Sequence, residues 1–166
     1  MHGKTLKFDA YYMGSKPKEG WALYFGMHGG GGCESHVNDG QYENHKKIYN
    51  SVLKEGIIWF VPRSPEDTWN MWHLSYIDDM FAYIIESYMI LEEINPNKVY
   101  LTGYSAGGDG TYKLAPRKAD RLAGAAMMAG HPNGVSMLGL RNIFFSIQVG
   151  GQDHAFNRNK LAGEYG

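Results

Sequence analysis

Three glycine clusters, at residues 29–32, within residues 103–110 and at residues 150–151, each stand directly after an apolar run. Backbone that must turn sharply where a strand ends favours glycine, so the clusters mark strand C-termini. Apolar runs fall at residues 21–27, 56–61, 98–102, 122–129 and 142–149, and Pro62 closes the second. They are continuous rather than alternating, as suits strands buried on both faces of a parallel sheet. Helical stretches separate them. The clearest covers residues 77–94, with Ile77, Met80, Phe81, Ile84, Ile85, Tyr88, Leu91 and Ile94 at helical spacing before the turn signal Asn95-Pro96-Asn97. Shorter helices are expected over residues 45–54 and 106–114, the latter stopped by Pro116. This alternation predicts a doubly wound, mainly parallel α/β sheet, with an antiparallel strand over residues 5–12. A length of 166 residues, 43% of them hydrophobic, allows one domain, residues 1–166, with a real core.

In such sheets ligands bind outside the strand C-termini, where the glycine clusters lie. Gly103-Tyr104-Ser105-Ala106-Gly107 reads G-x-S-x-G between the strand at 98–102 and the following helix. A serine at that turn is held in a strained conformation with its hydroxyl exposed, while the flanking glycines let strand and helix approach closely. Upstream, His28 is followed by four glycines, Gly29 to Gly32, at the end of the first parallel strand. Acyl transfer builds negative charge on a carbonyl oxygen, and each fixed backbone N–H aimed at it can contribute roughly 3 kcal/mol of transition-state stabilisation. One donor is expected to be Ala106, the other Gly30 or Gly31.

With both motifs present, the chain resembles an α/β-hydrolase of the esterase and carboxylesterase type. The stretch from Asn95 to Gly108 is similar to the segment around the nucleophile in esterases and in phospholipase- or peptidase-like hydrolases, and the resemblance covers residues 20–155. It implies a serine hydrolase that cleaves carboxylic esters through an acyl-enzyme on Ser105. It also implies the chain order serine, carboxylate, histidine. Asp153, just after the strand at 142–149 and Gly150-Gly151, occupies the position of the acid. Asp109 is nearer in sequence but falls on the helix after Ser105 and is expected to point away. Asp120 lies at the wrong end of its strand, and the loop at 130–133 has no carboxylate.

The histidine does not fit this pattern. His154 adjoins Asp153 and is badly placed to bridge it to Ser105. His131 is at the correct end of the sheet but is expected to line the pocket, and His28 to hold its loop by hydrogen bonds. The reading is therefore an α/β-hydrolase fold lacking its C-terminal strand and helix, with the catalytic histidine beyond Gly166 and the strand at 142–149 left as an apolar sheet edge. A non-catalytic ligand- or partner-binding protein of the same fold is the alternative. An aromatic loop, with Trp72 foremost, is expected to wall the pocket together with His131. Net charge is −1, with 16 basic and 17 acidic residues, which argues against nucleic-acid and membrane partners and leaves a small-molecule ester. The lone Cys33 and the absence of a long apolar run suggest a cytoplasmic protein. No cofactor is implied, and His28, His36 and His45 lack the spacing of metal ligands.

Overall fold

The computed structural model describes residues 2–49 and 54–166. Six strands form one sheet: β1 (Lys7–Met13), β2 (Trp21–Met27), β3 (Ile57–Arg63), β4 (Ile94–Tyr104), β5 (Gly124–Met128) and β6 (Phe144–Gln148). Their order is β1-β3-β2-β4-β5-β6. β1 pairs with β3 antiparallel, and every other pairing is parallel. Four helices accompany the sheet: α1 (Ser35–Ile48), α2 (Ser75–Leu91), α3 (Ala106–Arg117) and α4 (Arg158–Tyr165). No helix among the described residues is long and apolar enough to cross a membrane.

Both faces of the sheet are covered near its centre, which is why the strand sequences are apolar without alternation. Successive side chains of β3 point to opposite faces. Ile58 and Phe60 join a large core with Leu23, Phe25, Val99 and Leu101, closed by Ile77, Met80, Phe81, Ile84 and Ile85 of α2 and by α3. Trp59 and Val61 point the other way and pack with Tyr42 of α1. The helical spacing recognised in residues 77–94 is thus the core-facing stripe of α2.

Several boundaries differ from the sequence reading. α2 stops at Leu91, and the turn signal Asn95-Pro96-Asn97 lies inside β4. The register there jumps from Trp21↔Ile94 to Leu23↔Val99, so the turn bulges out of a strand that has already begun pairing. Its local chemistry is as expected, since the Asn97 N–H donates to Asn95 Oδ1 at 2.9 Å. β3 continues through Pro62, because its ladder to β2 ends at Phe25↔Phe60 and that proline falls outside it. α3 carries Pro116 in its last turn and ends at Arg117. Of the helix expected over residues 45–54, residues 50–53 lie outside the described residues, and α1 starts earlier, at Ser35. α4 was not anticipated; its glycine-containing sequence carries no apolar stripe.

Candidate active site

Ser105 alone makes the turn between β4 and α3, with φ 55° and ψ −117°. A non-glycine residue at positive φ in this region stores about 1–3 kcal/mol of strain and persists only when its surroundings over-determine it. Here the Ser105 N–H donates to Met128 O at the end of β5 (2.9 Å), and the Ser105 carbonyl accepts from the Asp109 N–H (2.9 Å). The flanking glycines are a packing requirement. A Cβ on Gly103 would stand 2.1 Å from Gly107 O, and one on Gly107 would stand 2.1 Å from Met27 O. The ends of β2 and β4 and the first turn of α3 therefore meet backbone against backbone, which fixes Ser105 relative to the loop after β2.

That loop lies directly over the serine, with a Cβ on Gly29 only 3.2 Å from Ser105 Cβ. His28 is fully buried and anchors the loop. Its Nε2 accepts the Ser64 N–H (3.2 Å), which leaves the proton on Nδ1 to be donated to Gly29 O (2.6 Å). Burial pushes its pKa down to about 4, so the ring is neutral near pH 7. Gly30, Gly31 and Gly32 follow at φ 104°, 78° and 61°, conformations that only glycine adopts without strain. Gly31 N–H donates to Asn38 Oδ1 (2.8 Å) and Gly32 N–H to Asp67 O (2.8 Å). Among the described residues the Gly30 N–H has no acceptor. Neither has the Ala106 N–H, the first of α3. Of the two expected glycine donors, Gly31 has its N–H engaged by Asn38 and Gly30 does not.

A cavity of about 330 Å³ opens in front of Ser105, Ala106, Gly30 and Gly31. No protein-family model and no curated protein matches the sequence. Solved structures do match. A serine hydrolase without a lid from Xanthomonas campestris superposes with a TM-score of 0.64 at 12% identity, over 96% of this chain and 71% of that one. The fluorophosphonate-binding serine hydrolase F of Staphylococcus aureus gives 0.59 at 14% identity, over 98% and 85%. An acetyl xylan esterase from Aspergillus awamori gives 0.55 at 16% identity, over 76% and 47%. The chain has the α/β-hydrolase fold. It spans about half the length of that acetyl xylan esterase and of a thermostable esterase matched at 56% of its length.

Within this fold, the other residues singled out from sequence are placed unevenly. Trp72 does not line the cavity: it is fully buried, and its Nε1 donates to His28 O (2.8 Å), so it supports the loop from beneath. Trp69, three residues earlier and 61% exposed, takes the place at the cavity wall. Asp109 does not point away. It lines the cavity, and its carboxylate accepts from the His131 N–H (2.6 Å) and Asn133 Nδ2 (3.4 Å). Burial raises its pKa. The signal was available, since Asp109 follows Ser105 by four residues, one helical turn on the same face. His131 does line the cavity, and its Nδ1 accepts the Asn133 N–H (2.9 Å). The same Nδ1 lies 3.0 Å from Asn133 Oδ1, so Asn133 holds the ring from both its backbone and its side chain.

Asp153 lies outside the cavity lining. Its N–H donates to Gly150 O (2.9 Å), its carbonyl accepts from the Asn159 N–H (3.1 Å), and Oδ2 lies 3.8 Å from Arg158 Nη1. Arg158 and Phe156 of the same segment do reach the cavity. His154 is exposed, with Nδ1 3.1 Å from Asn159 Nδ2. Among the described residues Ser105 Oγ makes no hydrogen bond to any histidine.

Proposed function

We propose that the protein is a serine hydrolase that cleaves small carboxylic esters through an acyl-enzyme on Ser105. The observation that carries this reading is the conjunction at the turn: a strained serine lines one cavity with Gly30 and Ala106, whose backbone N–H groups have no acceptor among the described residues. Ser105 then sits on a nucleophile elbow, and the two N–H groups form an oxyanion hole. Oγ attacks the ester carbonyl and passes its proton to the histidine expected beyond Gly166, and the carbonyl oxygen takes the negative charge between the two donors. Collapse expels the alcohol, and water hydrolyses the acyl-enzyme by the same route. Asp153 is the proposed acid of the relay, orienting the histidine that carries the proton. The cavity volume matches a small ligand. Esterases and serine hydrolases among the structural neighbours support an ester as substrate.

The test, on a form that carries the histidine expected beyond Gly166, is labelling with a fluorophosphonate probe followed by peptide mass spectrometry, together with hydrolysis of p-nitrophenyl acetate. The expected result is a single adduct on Ser105, absent in Ser105→Ala, and esterase activity that the same substitution removes. Folded protein that neither reacts with the probe nor hydrolyses the ester overturns the catalytic reading in favour of a ligand-binding protein on this fold.

A further inference from the structure

Resting on that catalytic reading, we infer that Asn38 is a positioning residue that aims the Gly30 N–H, as one end of a clamp built from α1 and the loop after β3. A run of four glycines is the least self-supporting backbone a chain can present, and a donor that wanders is of little use to a developing oxyanion. The Gly29–Gly30 peptide is planar and trans, so its carbonyl and its N–H point in opposite directions. His28 Nδ1 holds the carbonyl end, at 2.6 Å from Gly29 O, which turns the Gly30 N–H the other way. A single hydrogen bond still leaves the peptide free to swing about the rotatable bonds of Gly30. The next peptide stops that motion, because its N–H, from Gly31, is held by Asn38 Oδ1 at 2.8 Å.

Asn38 is built to hold still. It is fully buried on α1, and the space a Gly30 Cβ would fill is already taken by its Oδ1, at 2.0 Å from that position. Its Nδ2 donates to Asp67 Oδ1 (2.7 Å), so the amide can neither rotate nor flip without breaking a bond at each end. Asp67 is fixed in turn by Arg63 Nη2 (2.6 Å), whose Nε donates to Asp39 Oδ1 (2.9 Å) and whose Nη1 donates to Ser64 O (2.7 Å). The Asp67 backbone carbonyl accepts the Gly32 N–H (2.8 Å), so one residue braces the loop twice. The guanidinium is nearly buried; burial pushes the Asp67 pKa up, and the hydrogen bond from Asn38, then the hydrogen bond and charge of Arg63, outweigh it and bring the pKa down. The chain of contacts runs Arg63, Asp67, Asn38, Gly31, and it ends one peptide from the donor.

The experiment pairs a disruptive variant with its compensated form. Asn38→Asp sets a carboxylate against Asp67, whereas Asn38→Asp with Asp67→Asn reverses the hydrogen bond between the two side chains and keeps an acceptor for the Gly31 N–H, although the Arg63 contact to that Oδ1 is not reproduced. Two readouts are taken on folded protein, with folding checked by thermal melting. The first needs no turnover: backbone amide resonances of Gly30 and Ala106 are followed while sodium butyrate is added. In the wild type both shift as the carboxylate enters. In Asn38→Asp the Gly30 shift is lost while that of Ala106 remains, and the double variant recovers it. The second is kinetic. On p-nitrophenyl acetate, Asn38→Asp lowers kcat about tenfold or more with KM within about twofold, as expected for a donor misaimed rather than deleted. The double variant restores kcat. Amides that shift without any ester hydrolysis sink the proposed function and leave the clamp standing. A Gly30 shift and a kcat that survive in Asn38→Asp, a double variant that folds without recovery, or a wild type in which neither amide shifts, each overturn the clamp.

Discussion

Ser105 shows how much a single backbone angle demands of its neighbours. At φ 55° a serine is strained and a glycine is not. Ser105→Gly is therefore expected to be more stable than Ser105→Ala by about 1 kcal/mol, after allowing for the greater freedom of glycine in the unfolded chain. Urea denaturation of the two variants measures the difference, and a glycine variant no more stable than the alanine one contradicts the strain. His28 makes a pH-dependent demand. Burial lowers its folded pKa to about 4 and lowers that of His45, also buried, to about 3, against about 6.5 when unfolded. Below pH 6.5 the unfolded chain binds protons that the folded chain refuses. The stability these rings permit is therefore complete above pH 6.5 and is lost as the pH falls toward 4. For His28 the loss is on the order of 3 kcal/mol. Denaturation midpoints should already fall between pH 7 and pH 5.5, where carboxylates are still ionised, and a flat profile there contradicts the assignment. The sequence showed the serine and glycine motifs because they are contiguous. It hid Asn38, Asp67 and Arg63, because a network of three residues on separate elements has no spacing to read.

At the scale of elements, the fold was legible wherever a run was either apolar throughout or apolar at helical period. All five parallel strands and the antiparallel β1 fall on the expected segments, and the core stripe of α2 is the one the spacing predicts. What could not be read were endings set by pairing rather than by residue type. The Asn95-Pro96-Asn97 turn became a bulge because Trp21 of β2 pairs with Ile94 before it. The three glycine clusters also turn out to be unequal. At Gly103 and Gly107 the obstacles to a side chain are backbone oxygens 2.1 Å away, which cannot move aside without parting β2, β4 and α3. At Gly150 and Gly151 nothing lies within 4 Å of the added Cβ. Gly107→Ala is expected to destabilise by about 3 kcal/mol or to prevent folding, and Gly150→Ala to stay within about 0.5 kcal/mol of wild type. Thermal melts of the two variants decide, and comparable effects contradict the backbone contact as the reason for the spacing of G-x-S-x-G.

For the molecule as a whole, the two faces of the sheet are covered unequally. Among the described residues, α2 and α3 pack on β4 and β5 on one face, whereas on the other α1 packs mainly on β2 and β3. Beyond α1, an apolar hollow of about 300 Å³ lies among Tyr24, Trp59, Tyr100, Ala126 and Phe144. It runs out to β6, the edge of the sheet, where Phe144 is 74% exposed. An edge strand offers unpaired N–H and C=O groups, and an apolar residue on it removes the usual penalty for pairing with another chain. The 166-residue chain should therefore bind a hydrophobic dye and self-associate as concentration rises. Phe144→Lys places a charge on that edge and should suppress association while leaving the thermal melt of the fold little changed. Light scattering over a concentration series, with the melt as the internal control, separates the two effects. Equal scattering by the variant and the wild type would show that association, if it occurs, does not run through β6.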